Sequence, residues 1–193
     1  MLTVAAPLEL AIDARLIEVF ACAEKLSVGQ QTAVAAAAEI AALTIQQRPA
    51  AEALALWLAD AVLAQRLKWP APVPLLAPHI RRSELHLAPR LFAGDDTWLK
   101  ACCLAYARAA ANACDLAADL VRRAERLRAV APKLRAKGAA RAVVILLHED
   151  AISPASTTTW MSDRAARRLF ERLVTLGAVR ELSGRDTFRL YGL

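Results

Sequence analysis

Residues 161–191, MSDRAARRLFERLVTLGAVRELSGRDTFRLY, contain the pattern of a helix followed by a hairpin. Ser162 is a typical N-cap, Asp163 suits the positive end of a helix, and Gly177 is typical of a left-handed C-cap. Between the caps, apolar residues recur at helical spacing and predict one buried face: Ala166, Leu169, Phe170, Leu173, Val174 and Leu176. After Gly177, apolar and polar residues alternate on both sides of a turn at residues 183–186, which predicts a β-hairpin.

Two shorter helices are predicted before this segment. Residues 139–148 are rich in Val and Leu and predict a short buried helix. Ser153 is a candidate N-cap with Pro154 at the first helical position, and residues 155–160 predict a weak helix because consecutive threonines disfavour it. Three helices followed by a two-stranded ribbon is the plan of a winged helix-turn-helix, which we predict for residues 139–193.

The outer face of the predicted 162–176 helix is basic. Its arginines occupy positions at which a recognition helix meets the major groove of DNA: Arg164, Arg167, Arg168 and Arg172. Arginine binds phosphates, and it binds guanine O6 and N7 with two hydrogen bonds. Arg185 in the turn and Arg189 on the return strand are placed to contact the flanking backbone or the minor groove. The pattern predicts contact with double-stranded DNA. The alternatives are a winged helix that docks a protein or dimerises, with solvated arginines, and RNA or another partner.

The formal net charge of +6 is concentrated near the C-terminus. Residues 1–120 carry 10 Lys and Arg against 12 Asp and Glu, whereas residues 121–193 carry 15 against 7. A near-neutral body with a basic end is expected when only one module meets nucleic acid.

The body of the chain is predicted to be helical. Hydrophobic residues make up 57% of the sequence and aromatic residues 5%, and the excess of Ala and Leu favours a mainly α fold. Helices are predicted at residues 8–26, 31–47 and 52–67, followed by a proline-rich connector at 69–74 and a helix or turn at 77–87. A long helix is expected from Trp98 towards Arg128, with arginines crowding its last turns. We place a helical domain at residues 1–135 and a linker zone at 132–138.

No catalytic, cofactor or metal motif is apparent in the sequence. His79 and His86 are seven residues apart with Glu84 and Asp95 nearby, but no His/Cys cluster or carboxylate-rich loop supports a metal site. Asp60 lies in an otherwise apolar helix, where we expect it to cap a neighbouring helix or pair with arginine. The cysteines lie in helical patterns without a CxxC pair and predict buried thiols: Cys22, Cys102, Cys103 and Cys114. We therefore expect no enzyme, no cofactor and no metal.

The sequence also predicts no membrane partner. Glu39 ends the alanine tract at 33–38, and Asp60 and Arg66 interrupt residues 54–67, so neither supplies the roughly 20 apolar residues of a span. The N-terminus lacks a positive region before an apolar run, which argues against a signal peptide. We expect a cytoplasmic protein.

The C-terminal pattern resembles the winged helix appended to many Fic-fold proteins, in which a helix also runs into LGxxRExTGR. The corresponding segment here is LGAVRELSGR, residues 176–185. The chain is more similar still to an uncharacterised bacterial family of unknown function that also carries an LALWLADAVLAQRL segment, here residues 54–67 with Trp69 and Pro70 following. Together the two motifs extend the resemblance over about residues 50–193. The resemblance implies a helical, Fic-like body before the winged helix.

The Fic motif itself is missing from this body. In Fic enzymes the corresponding helix leads into an HPFxDGNGR loop, whose histidine is the general base, whose acidic residue binds magnesium and whose glycines and arginine cradle nucleotide phosphates. The corresponding stretch here, RLKWPAPVP at residues 66–74, has no histidine, acidic residue or glycine, and its prolines lack backbone N–H donors. The resemblance therefore implies a scaffold without that chemistry.

These patterns lead to one functional expectation and one alternative. We expect a DNA-binding protein, a transcriptional regulator, that uses a C-terminal winged helix while the helical body serves homodimerisation or partner sensing. The alternative is a non-catalytic protein–protein adaptor built on a degenerate Fic-like scaffold.

Overall fold

The structure of the chain, a computed structural model, describes residues 13–193 and is mainly helical, which confirms the predicted fold class at that level. Its α-helices are α1 (Ala14–Val28), α2 (Ala33–Gln47), α3 (Glu52–Arg66), α4 (Leu76–His79), α5 (Thr97–Val130), α6 (Ala139–His148) and α7 (Asp163–Thr175). Short 3₁₀ segments lie at Pro49–Ala51, Arg82–Ala93, Ala131–Lys133 and Ala155–Thr157. The strands β1 (Arg180–Glu181) and β2 (Tyr191–Gly192) form an antiparallel pair. The chain divides into an N-terminal unit, Met1–Ala113, and a C-terminal unit, Cys114–Leu193.

The core of the N-terminal unit is built around α2, which packs against both α1 and α3. The middle of α2 is fully buried and is built mainly of small residues, so neighbouring helices approach it closely: Ala36, Ala37, Ala38, Ala41 and Ala42, with Ile40 between them. Trp98, at the start of α5, is also fully buried, and its indole Nε1–H donates to the Ala38 carbonyl over 2.8 Å. Helix α2 therefore has neighbours on several sides.

Asp60 is the buried carboxylate of the N-terminal unit, and it caps the short helix α4. Its carboxylate oxygens accept hydrogen bonds from the backbone N–H groups of Leu75 and Leu76 at 2.9–3.1 Å. The Tyr106 hydroxyl donates to the same carboxylate over 3.1 Å. Of the two roles expected for Asp60, the structure has the helix cap. Burial raises the pKa of its carboxyl, and the three hydrogen bonds act in the opposite direction.

The core of the C-terminal unit includes the end of α5. Leu127 and Val130 of α5 are buried among apolar residues of α6, α7 and β2, with Phe170 and Leu146 at the centre. The unit therefore starts at Cys114, inside α5, whereas the sequence pattern predicted a linker at 132–138. The difference arises because an unbroken helix gives no composition signal where its side chains leave one core and enter another.

Several predicted elements agree with the structure and others differ. The predicted helices at 31–47, 52–67, 98–128 and 139–148 are confirmed within about two residues at their ends. Of the predicted 8–26 helix, residues 8–12 lie outside the described residues, and the rest falls in α1. The 77–87 segment is α4 followed by a 3₁₀ run that contains Pro89. The cysteines were expected to be buried, but Cys103 and Cys114 are exposed because they lie on the outer side of α5.

Across residues 13–193, no helix combines the length and apolar content needed to cross a bilayer.

Candidate nucleic-acid interface

Helix α7 is fixed at both ends as its sequence predicts. At the start, the Ser162 Oγ accepts a hydrogen bond from the Ala165 backbone N–H over 3.3 Å. At the end, Gly177 adopts a left-handed φ of 64°, which is accessible to glycine without strain. Four apolar residues of the helix are buried: Ala166, Leu169, Phe170 and Leu173. The opposite face of α7 is therefore held outward.

Arginines form a row on this outward face. Arg164, Arg168 and Arg172 follow one another at four-residue intervals, each rotated by about 40° from the last. All three are exposed, and within residues 13–193 their guanidinium groups have no hydrogen-bond or ion-pair partner. Arg167 differs, because its Nε donates to the Asp163 carboxylate over 2.8 Å. Exposed Glu171 is an acidic residue on the same face.

The hairpin after α7 is short, and one further residue pairs with its outer side. In the hairpin, Arg180 pairs with Gly192 and Glu181 pairs with Tyr191. On the other side of Tyr191, the isolated residue Ile152 exchanges two backbone hydrogen bonds with it, each 2.9 Å long. The Tyr191 ring stacks on Phe170 of α7, with centroids 4.8 Å apart. These contacts attach the hairpin to the core of the unit.

The loop of the hairpin is ordered by Glu181 and by Arg189. The Glu181 carboxylate accepts from the Ser183 hydroxyl and from the backbone N–H groups of Ser183 and Gly184, which lowers its pKa, the Ser183 hydroxyl having the largest effect. The Arg189 Nε donates to the Arg185 carbonyl over 3.2 Å, and its guanidinium lies 3.8 Å from Asp186. The Glu181 carboxylate therefore has its hydrogen-bond partners within the loop.

The predicted hairpin arginines have different environments. Arg185 is exposed, and its guanidinium has no partner among the described residues. Arg189 was predicted on the return strand, but the strand is limited to Tyr191–Gly192, so Arg189 lies in the loop and is partly buried. Phe188 was also expected on that strand. It instead projects from the loop with a left-handed φ of 55° and is 87% exposed.

Arg141 is a basic residue near α7 that sequence reasoning missed. Its guanidinium carbon lies 5.3 Å from the ring centre of Trp160, which is a cation–π contact. Trp160 also packs over Gly138, where a Cβ atom would lie only 2.8 Å from the ring. Since Trp160 comes two residues before the Ser162 cap, Arg141 is held close to the start of α7. Only a prediction of how α6 packs could have found it.

Several arginines near the end of α5 already have hydrogen-bond or ion-pair partners. Arg122 and Arg123 pair with Asp119 at 3.4 and 2.8 Å, and the hydrogen bond from Arg123 lowers the pKa of that carboxyl. Arg126 donates to the Gly177 carbonyl over 3.4 Å, close to the end of α7. These residues therefore stabilise the C-terminal unit as well as adding charge to it.

Each unit also has a surface groove. In the C-terminal unit, a groove of about 380 Å³ lies between α5 and the end of α6, with Leu120, Val121 and Leu147 along it and Glu149 and Asp150 at its edge. In the N-terminal unit, a smaller groove of about 260 Å³ is lined by Trp57, Trp69 and neighbouring prolines. Within the described part of the chain, no three His, Cys, Asp or Glu residues are grouped so as to hold a metal ion.

Comparison with known proteins gives a family but no function. No curated protein and no solved structure matches the chain significantly. One family profile, described as a protein of unknown function (DUF1403), matches residues 2–193. The chain therefore belongs to the DUF1403 family of proteins of unknown function.

Proposed function

We propose that the C-terminal unit is a winged helix-turn-helix that binds double-stranded DNA, with α7 as its recognition helix. The order of its elements supports this fold: α6, the single strand position Ile152, the short Ala155–Thr157 turn, α7, and then the β1–β2 hairpin. The isolated bridge between Ile152 and Tyr191 adds one pair of backbone hydrogen bonds on the outer side of this two-stranded hairpin. In this arrangement the hairpin is the wing.

The observation that carries the DNA proposal is the row Arg164, Arg168 and Arg172. Side chains committed to fold stability are usually paired or partly buried, whereas these three are exposed and unpaired within residues 13–193. Their spacing matches a helix that lies in the major groove, where arginine reaches phosphates and guanine edges. The C-terminal unit carries 15 Lys and Arg against 9 Asp and Glu, so long-range attraction acts in the same direction.

The regulatory part of the proposal assigns the N-terminal unit a supporting role. We infer that it is a degenerate Fic-like scaffold that serves homodimerisation or partner sensing, and that the chain is a transcriptional regulator in the cytoplasm with no reaction of its own. The segment at residues 66–74 supports this, because it lacks the groups of the Fic motif and contains three prolines.

A gel shift with genomic fragments at several salt concentrations tests the proposal. In the triple variant Arg164→Ala/Arg167→Ala/Arg168→Ala, loss of phosphate contacts should weaken retention and lower the slope of log affinity against log salt by roughly 0.9 per contact. The matched control removes three exposed cations from the N-terminal unit, Arg82→Ala/Arg90→Ala/Lys100→Ala, and should bind like wild type. Equal retention of both triple variants at moderate salt would show that α7 does not recognise DNA.

The adaptor is the second candidate, and the groove of the C-terminal unit favours it. Leu120 and Val121 on α5 are 37% and 56% exposed, and both line the groove. Exposed apolar residues that line one groove are typical of a protein-binding surface. Light scattering of the purified chain without DNA, compared with Leu120→Arg/Val121→Arg, tests whether this groove joins copies of the chain. A homodimer that the double variant dissociates supports assembly through α5, and an unchanged mass excludes it.

A further inference from the structure

We propose that Phe188 is a wedge that inserts between base pairs of DNA and kinks the duplex. This inference rests on the proposed function, and it assigns to the wing a role that the arginines of α7 do not have. It concerns the exposed end of the hairpin loop, where one large apolar side chain is held out of the protein.

Phe188 is unusual in both its exposure and its backbone. At 87%, it is the most exposed large apolar side chain among residues 13–193. Its φ of 55° lies in the left-handed region, which only one other described non-glycine residue, Lys68, adopts. An exposed phenyl group and a left-handed backbone each cost free energy, and such costs are typical of positions that serve a partner.

Hydrogen bonds within the loop and across its base restrain the backbone that carries Phe188. At the start of the loop, the Glu181 carboxylate accepts from Ser183 and Gly184. Across the base of the loop, the Leu182 N–H donates to the Leu190 carbonyl over 2.8 Å. Within the loop, the Arg189 side chain donates to the Arg185 carbonyl. A fastened frame lowers the entropy that insertion into a partner would otherwise cost.

The charges around Phe188 favour a polyanion as that partner. Arg185 and Arg189 flank it, and the guanidinium of Arg185 has no partner in the described residues. The loop also has two carboxylates: Glu181 is hydrogen-bonded to Ser183 and Gly184, and Asp186 lies 3.8 Å from Arg189, so Arg185 is the cation of the loop that has no partner in the described residues. An apolar wedge near an unpaired arginine suits the minor groove, where phenylalanine inserted at a flexible step partly unstacks the bases and kinks DNA by roughly 20–90°.

The test measures DNA bending by energy transfer between fluorophores at the two ends of a duplex. The probe is a duplex of about 30 base pairs, taken from the fraction of a randomised pool that full-length wild-type protein retains most strongly. A second copy carries 2-aminopurine, whose fluorescence rises on unstacking. Wild type should bend the probe and raise the 2-aminopurine signal. Phe188→Ala and Phe188→Gly should lose both effects and bind at least about five-fold more weakly.

Two further variants show whether an apolar side chain at this one position is what bends the duplex. Phe188→Leu keeps an apolar wedge and should retain the bend, whereas Phe92→Ala removes an exposed phenyl group from the N-terminal unit and should behave like wild type. Wild-type bending by Phe188→Ala would overturn the wedge. If wild type binds DNA without bending it, the wedge fails and the proposed function stands. If wild type binds no DNA, both proposals fail.

Discussion

The two units of the chain differ in net charge and in the contacts that several of their arginines make. The N-terminal unit carries 10 Lys and Arg against 10 Asp and Glu, so the whole net charge of +6 resides in the C-terminal unit, with 15 against 9. In the N-terminal unit, Arg66 donates to the Gly29 and Gln31 carbonyls, and Arg48 pairs with Asp13. In the C-terminal unit, Arg164, Arg168 and Arg172 have no such partners within the described residues.

This difference shows where binding energy is available. A cation that is bonded to its own fold must break that bond before it contacts a ligand, whereas an unpaired one loses only water. Helices α2 and α7 make the same contrast. Helix α2 buries alanines, and α7 buries four residues while keeping its arginines outside.

The largest effect is expected from truncating one large core side chain in each unit. Trp98→Ala and Phe170→Ala each remove a fully buried ring and should lower the free energy of unfolding by about 3–5 kcal/mol. Hydrogen exchange followed by mass spectrometry should show the loss of protection beginning in the N-terminal unit for Trp98→Ala. For Phe170→Ala it should begin in the C-terminal unit. Equal loss in both units by either variant would mean that they unfold together.

Asp60 provides the next largest effect and a pH signature confined to the N-terminal unit. Asp60→Ala leaves the Leu75 and Leu76 N–H groups and the Tyr106 hydroxyl without their acceptor, at a cost of about 1–3 kcal/mol. Because the Asp60 carboxyl titrates, its contribution to the free energy of unfolding also depends on pH. Since burial raises the folded pKa above its ordinary value of 3.8, the stabilisation from the neutral form is complete below that pH and is lost as pH rises through the folded pKa.

Urea unfolding at a series of pH values checks this sign. Asp60→Asn keeps an oxygen acceptor without titrating, so the stability of wild type relative to this variant should fall as pH rises from about 4 towards neutrality. A relative stability that rises over the same range would contradict a raised pKa.

A smaller and equal effect is expected from the two helix caps. Ser162→Ala at α7 and Thr32→Ala at α2 each remove one side-chain acceptor and should cost about 1 kcal/mol. Thermal unfolding measures both. Only Ser162→Ala should also weaken DNA binding, because it loosens the start of α7. Weaker binding by Thr32→Ala would break the division of roles between the units.

The smallest effect should be a gain of affinity. Glu171 lies three residues after Arg168 on the outward face of α7, where its charge repels phosphate. Glu171→Gln should raise DNA affinity about two- to five-fold at low salt, with less gain at high salt. The matched control is Glu52→Gln on α3, exposed in the N-terminal unit, which should change nothing measurable. Fluorescence anisotropy with a labelled duplex is sensitive enough to resolve the difference.

Local signals made most of the secondary structure predictable. Ser162 and Gly177 delimit α7, and the spacing of its apolar residues identifies the buried face, because caps and periodicity act within a few residues of each other. The alanine-rich helix α2 and the break before Pro49 were predictable for the same reason. DNA binding by the exposed arginines stays a prediction, since exposure makes contact feasible without identifying the ligand.

Features that depend on distant residues could not be derived from the sequence. The Ile152–Tyr191 pairing and the Arg141–Trp160 contact join residues far apart in the chain, and no periodic signal connects them. The loop position of Phe188 was missed because an apolar residue after a turn is the usual signal for a return strand. Here the ladder starts three residues later, and the phenyl group stays outside.

The burial of α2 also determines which substitutions this chain can accept. From Ala36 to Ala42, every residue except Glu39 is fully buried, and Glu39 is half-buried and accepts a hydrogen bond from Gln31. No face of the helix in this stretch is exposed, so any substitution that changes side-chain volume there should disturb the core. Helix α7 has a wide face on which residues can change without harm to the fold. A substitution on the outward face of α7 can therefore change what that helix contacts, whereas a substitution in residues 36–42 disturbs the packing of the N-terminal unit.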